Sequence, residues 1–223
     1  MNYEATRSRV EHYFDRTATK TWERLTSDAP VSRIRETVRQ GRDQMRDKML
    51  ERLPEDLTGR RVLDAGCGTG MVTEILAARG ANVVAVDISP QLIDIARKRL
   101  PAALAPKVSF HAGDMMNMEL GAFDHAVAMD SLIYYGASDI KKALTEIGSR
   151  TRENFVFTIA PRTPLLMVMW NAGKLFPRSD RSPIMVPHAP RALQRSLKGT
   201  GTLTDLGRVA RGFYISQALE FRA

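Results

Sequence analysis

The sequence predicts a Rossmann-like α/β fold, a mostly parallel seven-stranded sheet with helices on both faces. Three observations predict it. A strand-like run, Arg61 to Asp64, feeds alternating glycines at Gly66, Gly68 and Gly70. A second run, Asn82 to Asp87, also ends in a carboxylate. From there to residue 159, strand-like and helical runs alternate, the pattern of crossover units in a parallel sheet. Around this core the sequence divides into an N-terminal helical arm or lid, residues 1–54, and a main domain, residues 55–223. A cap segment at residues 162–190 precedes the last two strands.

The arm is rich in arginine and poor in β-branched residues, so it reads as helical. From Ser32 to Leu53 apolar side chains recur at Ile34, Val38, Met45, Met49 and Leu53, near the spacing of one helical face. The rest of that helix is mostly charged and predicts either a solvated basic face or a surface toward a membrane or partner. Upstream, HYFDRTATKTWERL places Tyr13, Phe14 and Trp22 where they either anchor the arm or wall a large flat ligand. After Arg61 to Asp64 comes a helix at Met71 to Arg79, the strand Asn82 to Asp87, and a helix at Ser89 to Leu100 with Ser89 as N-cap and Pro90 at its first position. Strands follow at Val108 to His111 and Phe123 to Met129, then a helix at Lys141 to Arg150 and a strand at Asn154 to Ile159 stopped by Pro161. The cap carries prolines at 164, 177, 183, 187 and 190 around LLMVMWNAGKLF, an apolar run whose methionines adapt to irregular surfaces. Arg191 to Lys198 reads as a helix, and Leu203 to Val209 and Phe213 to Phe221 as an antiparallel pair turning at Arg211 and Gly212.

Composition sets the boundaries. A chain of 223 residues holds one sizeable α/β domain and a small appendage. Its single cysteine, Cys67, excludes an internal disulfide framework or cysteine cluster and fits a reducing compartment. The net charge of +8 implies anionic company. No apolar run reaches membrane-spanning length and the N-terminus has no secretory pattern, so the expectation is a cytoplasmic protein, with peripheral membrane contact. The four histidines show no ligand spacing, and no protein-bound metal is expected.

The ligand of the glycine loop follows from spacing. A dinucleotide fingerprint needs a glycine where Met71 stands, and a Walker A loop needs a Gly-Lys-Ser/Thr ending that does not follow. Glycines bring the backbone close to a ligand, and the loop amides and helix N-terminus are expected to face it. Asp87, roughly 20 residues beyond the loop, stands where an acidic residue grips ribose hydroxyls. The pattern D-x-G-x-G-x-G resembles motif I of the class I methyltransferases. That resemblance implies S-adenosylmethionine held by Asp64, Gly66, Cys67, Gly68, Gly70, Asp87, Ile88, Asp114, Met115 and Asp130. It assigns the ribose to Asp87 and the adenine amino group to Asp114.

The stretch Asp130 to Tyr135 (DSLIYY) follows the fourth strand, where a substrate meets the cofactor in an open sheet. The order YF, TWERL, VRQGRDQM, VLDAGCGTG, MDSLIYY, FTIAPRTPLL and KLFP resembles the magnesium protoporphyrin IX methyltransferases of chlorophyll and bacteriochlorophyll synthesis, the purple-bacterial type above all. The likeness runs over nearly the whole chain. It implies methyl transfer to a propionate carboxylate of Mg-protoporphyrin IX, with the magnesium carried by the substrate. It further implies Tyr134 as a catalytic residue, a substrate surface of Tyr13, Trp22, Tyr135, Met167 and Trp170, and contact with the porphyrin-binding subunit of magnesium chelatase. Two positions depart from the cyanobacterial and plant members, which carry tyrosine in place of Thr26 and histidine in place of Tyr134. Other readings remain: a methyltransferase for another small acid or a quinone, an RNA methyltransferase, for which no N-P-P-Y-type motif or cysteine nucleophile is present near DSLIYY, or a non-catalytic module.

Overall fold

The computed structural model describes residues 3–15, 26, 32–164, 166–167 and 185–223. Trp22 and Trp170 lie outside the described residues. Helix α1 (Tyr3–Tyr13) buries Tyr3, Thr6 and Val10 on one stripe. Helix α2 (Arg33–Leu50) is capped by Ser32, whose side chain accepts from the Arg35 amide. The core then alternates β1 (Arg61–Ala65), α3 (Met71–Ala78), β2 (Asn82–Asp87), α4 (Pro90–Arg99), β3 (Val108–Ala112), β4 (Phe123–Ala128), α5 (Ala137–Gly148) and β5 (Thr151–Ile159). Helix α6 (Pro190–Ser196) leads into the hairpin β6 (Thr202–Arg211) and β7 (Tyr214–Arg222).

The seven strands form one sheet in the order β3-β2-β1-β4-β5-β7-β6. Strands β1 to β5 pair in parallel, while β7 runs antiparallel to both β5 and β6. Strand order reverses between β1 and β4, which opens a crevice beyond their carboxyl ends. Two apolar cores cover the two faces. One gathers Phe123, Phe155, Phe157 and Phe221 against α5 and α6. The other gathers Val62, Val127 and Val156 with α3 and with Met45 and Met49 of α2. Among the described residues no helix is long and apolar enough to cross a membrane.

Local chemistry adjusts some expected boundaries. Helix α5 starts at Ala137, not Lys141, because Gly136 ends the preceding turn and Asp139 lies in the first helical turn, where a carboxylate meets the positive end of the dipole. The face expected for α2 also shifts. Ile34 is 57% exposed, and Gly41 makes the close contact instead, since a Cβ there would stand 2.7 Å from the Tyr214 ring. The cap's return is stitched to the domain. The Val186 amide donates to Ile133, the His188 amide to Ala160, and the His188 ring to the Tyr135 carbonyl at 2.8 Å. Burial lowers the His188 pKa, so this ring is neutral and donates from Nε2.

Candidate active site

A cavity of about 360 Å³ lies at the switch point, between the glycine loop, the ends of β2, β3 and β4, and helices α1 and α2. Asp64, Gly66, Cys67, Gly68, Asp87, Ile88, Asp114, Met115, Asp130, Tyr134 and Tyr135 all line it. Positive φ angles run through the loop, 83° at Gly66, 56° at Gly68 and 86° at Gly70. Gly66 must be glycine for a second reason, because a Cβ would come within 2.3 Å of Ser131. Gly70 lies outside the cavity wall and closes the loop against Ala96 of α4. Gly68 and Gly113 both line the cavity, and a Cβ at either would meet nothing within 4 Å.

The loop amides differ from expectation. Gly66 and Cys67 both donate to the Val86 carbonyl, Gly70 donates to Cys67, and Gly68 donates to the Asp87 carboxylate at 2.8 Å. These donors are committed within the chain. The loop is therefore a packing surface more than an anion cradle, in keeping with the failed phosphate patterns.

Two buried carboxyls anchor the floor. Asp64 accepts from Thr73 at 2.6 Å, and burial, opposed by that bond and reinforced by Asp87, pushes its pKa up to about 7. Asp87 takes the Gly68 amide on one oxygen and the Ser89 amide on the other. Burial raises its pKa to about 6 despite those donors. Each carboxylate oxygen has two lone-pair sites, so Asp87 retains acceptor capacity toward a diol.

The arm reaches this floor at three loops. Tyr3 and Arg7 donate to the two oxygens of Asp114, at 2.7 and 3.0 Å. Ser89 donates to Asp15. Thr26 accepts from Thr69 of the glycine loop at 2.8 Å and from Arg99 at 2.9 Å. Tyr3 stacks on Tyr135 with ring centroids 5.2 Å apart, so Tyr135 stands at the Asp114 end of the cavity. Tyr134 packs edge-on to Phe14 at 6.0 Å and lines the cavity together with Asp130 and Arg42. Burial raises the pKa of both phenols, so each is a proton donor near neutrality and neither is a base.

Several predicted residues fall elsewhere. Tyr13 lies off the cavity and packs on Phe14, because Tyr3, Arg7, Val10 and Phe14, at i, i+4, i+7 and i+11, own the inner stripe of α1. That spacing was the signal available in the sequence. Met167 is also off the wall, in the turn whose first carbonyl, Thr163, accepts its amide. Asp130 lines the cavity, yet its carboxylate is turned to protein groups. It takes Arg42 at 2.6 Å, Tyr214 at 3.1 Å and Thr158 at 3.3 Å.

The basic helix was the larger omission. Arg39, Arg42 and Arg46, at i, i+3 and i+7, present one guanidinium row to the cavity. Arg46 pairs with Asp43 and Asp47, while its Nε–H is buried without a partner. Met45 and Met49 pack in the same core as Cys67 and Val72, which sets this turn of α2 beside the glycine loop. No group of three or more potential metal ligands occurs among the described residues.

The cavity thus combines a diol acceptor, an apolar and aromatic slot, a glycine surface open to a ligand and an unmatched cationic donor. Among the described residues, no histidine lines it. Comparison with known proteins gives the arrangement a family. The chain is 63% identical over 222 residues to the magnesium-protoporphyrin O-methyltransferase of Rhodobacter capsulatus, spanning 99% of this chain and 98% of that one. The chain belongs to the magnesium-protoporphyrin O-methyltransferase family. Residues 128–223 match the family described as Magnesium-protoporphyrin IX methyltransferase C-terminus, and residues 62–154 match a methyltransferase domain. The fold superposes on the magnesium protoporphyrin IX methyltransferase of Synechocystis PCC 6803 with bound SAH. That match has a TM-score of 0.84, 27% identity, and coverage of 97% of this chain and 99% of that one. A ubiquinone biosynthesis O-methyltransferase of Xylella fastidiosa shares 51% identity, but over 51 residues and 23% of this chain.

Proposed function

We propose that the chain transfers the methyl group of S-adenosylmethionine to a propionate carboxylate of Mg-protoporphyrin IX, giving the monomethyl ester in (bacterio)chlorophyll biosynthesis. The observation that carries this reading is the 63% identity, end to end, with the Rhodobacter capsulatus enzyme of that name. The residues fit the cofactor. Asp87 accepts the ribose hydroxyls, and Ile88 and Met115 flank the adenine. The unpartnered Nε–H of Arg46 supplies a donor for the methionine carboxylate. Asp114 is assigned to the adenine amino group, and it also accepts from Tyr3 and Arg7.

When bound, S-adenosylmethionine supplies an electrophilic methyl group, and the departing sulfonium takes the bonding pair as S-adenosylhomocysteine. A propionate is already ionised near neutral pH, so no residue has to remove a proton. The chain's task is alignment and exclusion of water. The protonated Tyr134 hydroxyl donates to a carboxylate oxygen and fixes its direction. Phe14 and Tyr134 offer ring faces to a flat macrocycle, and the arm, residues 1–54, closes the cavity as a lid. Contact with the porphyrin-binding chelatase subunit and with a membrane surface belongs to this proposal, supported by the +8 net charge.

Incubation of the purified chain with S-adenosylmethionine and, in parallel, Mg-protoporphyrin IX, metal-free protoporphyrin and bulk RNA, read by mass spectrometry, tests the reading. One added methyl on the magnesium porphyrin is the expected outcome. Methylation of RNA, or of no porphyrin while cofactor binds, overturns it.

A further inference from the structure

We infer that Arg42 is the group that receives the substrate's reacting carboxylate, and that Asp130 is a positioning residue that holds Arg42 and offsets its charge. This rests on the proposed reaction and deepens it by naming the carboxylate's partner.

Two features fix Arg42. Gly41 lets α2 approach β7 so closely that a Cβ would stand 2.7 Å from the Tyr214 ring, which sets the next residue against the cavity. Asp130 then takes the Arg42 guanidinium at 2.6 Å, with side chains only 18% and 7% exposed. Asp130 is itself held hard. Its amide donates to Thr158 Oγ1 at 2.7 Å, and its carboxylate accepts from Thr158 and Tyr214. It is the only non-glycine residue among those described with positive φ, at 54°. A strained backbone kept in place by three side chains, from α2, β5 and β7, is characteristic of a functional site.

The location matches the chemistry. Arg42 lines the cavity at the end of β4, on the Tyr134 side, away from the Asp114 end where Tyr3 and Tyr135 stack. A guanidinium presents several donors in a fixed plane, so it can hold one carboxylate and receive a second. An uncompensated arginine would grip the incoming carboxylate and blunt its attack on the methyl group. Paired with Asp130, it orients the nucleophile while leaving it electron-rich. Tyr134, which lines the same cavity as the pair, supplies the second point of alignment.

The experiment uses the full chain saturated with S-adenosylhomocysteine and compares the affinity of Mg-protoporphyrin IX with that of its dimethyl ester, by quenching of porphyrin fluorescence. Wild type is expected to prefer the diacid at least tenfold. In Arg42→Gln that preference falls toward unity, with S-adenosylhomocysteine affinity within twofold of wild type. Arg42→Lys keeps charge without the planar fork, and is expected to retain part of the preference with kcat reduced at least tenfold. Asp130→Asn is expected to lower kcat more than it raises KM. Equal affinity of wild type for diacid and diester overturns the inference however the variants fold. A wild-type diacid preference in both arginine variants overturns it too. A wild-type enzyme that methylates no porphyrin fails at the level of the proposed reaction instead, and so is told apart.

Discussion

Two glycines two positions apart make the residue-scale logic testable. Gly66→Ala forces a Cβ to within 2.3 Å of Ser131 at φ 83°, and is expected to cost about 2–4 kcal/mol of stability by urea unfolding. Gly68→Ala has φ 56° but nothing within 4 Å, so it should cost about 1 kcal/mol while weakening cofactor binding at least tenfold by calorimetry. The buried carboxyls predict a pH dependence. Folded Asp64 titrates near 7, whereas an unfolded aspartate titrates near 3.9, so the folded state holds the extra proton between those values. Stability therefore declines as pH rises from about 4 to about 7 and levels off above. Asp87, raised to about 6, adds to the same decline below that pH, so Asp64→Asn should make the decline shallower and remove the part between about pH 6 and 7, measured as unfolding free energy at pH 5, 6, 7 and 8 relative to wild type. The glycine loop and Asp87 were legible in the sequence because their spacing is local. Asp130 was assigned to the cofactor because a strand end carries no record of its partners. Arg42 is 88 residues away, and Tyr214 is 84.

Elements decide which face of a side chain counts. The sequence identifies α1 and α2 as helices, yet periodicity alone could not say that the arginine row of α2 would look inward. That was settled by Gly41 against Tyr214, a contact between segments far apart in the chain. Phe14 displaced Tyr13 for a simpler reason, the rotation of a helix by 100° per residue. Helix α1 also reaches the far end of the cavity. Through Tyr3 and Arg7 it holds Asp114, so removing both donors loosens the cofactor end of the cavity. The double variant Tyr3→Phe, Arg7→Met is expected to release S-adenosylhomocysteine about three- to tenfold faster in stopped-flow measurements, as charge-assisted bonds of this kind contribute about 1.5–3 kcal/mol at most. An unchanged release rate would make the helix a cover for substrate alone.

At the scale of the whole molecule, strand order and the antiparallel pair were readable because each strand carries its own apolar run and turn signals. The cap was readable only as an interruption, since a proline-rich segment has no period to follow. The stitching by Val186 and His188 could not be anticipated, because every acceptor and two of its three donors are backbone groups. Net charge acts at this scale as well. A chain of +8 attracting a substrate with two carboxylates should show a KM that rises several-fold between low salt and about 0.3 M NaCl, with kcat unchanged, in initial-rate assays. A flat salt response would confine the electrostatics to the cavity.

The position of β7 has a consequence in time. It follows β6 in the chain but lies inside the sheet, between β5 and β6, and it carries Tyr214 to the Asp130 carboxylate. During synthesis the glycine loop, Asp87 and Asp114 leave the ribosome long before that strand does. A nascent chain can therefore assemble the floor of the cavity while β5 still has an open edge and Asp130 lacks its tyrosine. On the proposed assignment, the half that holds the methyl donor is made first, and the aligning half is completed when the hairpin brings Tyr214 to Asp130.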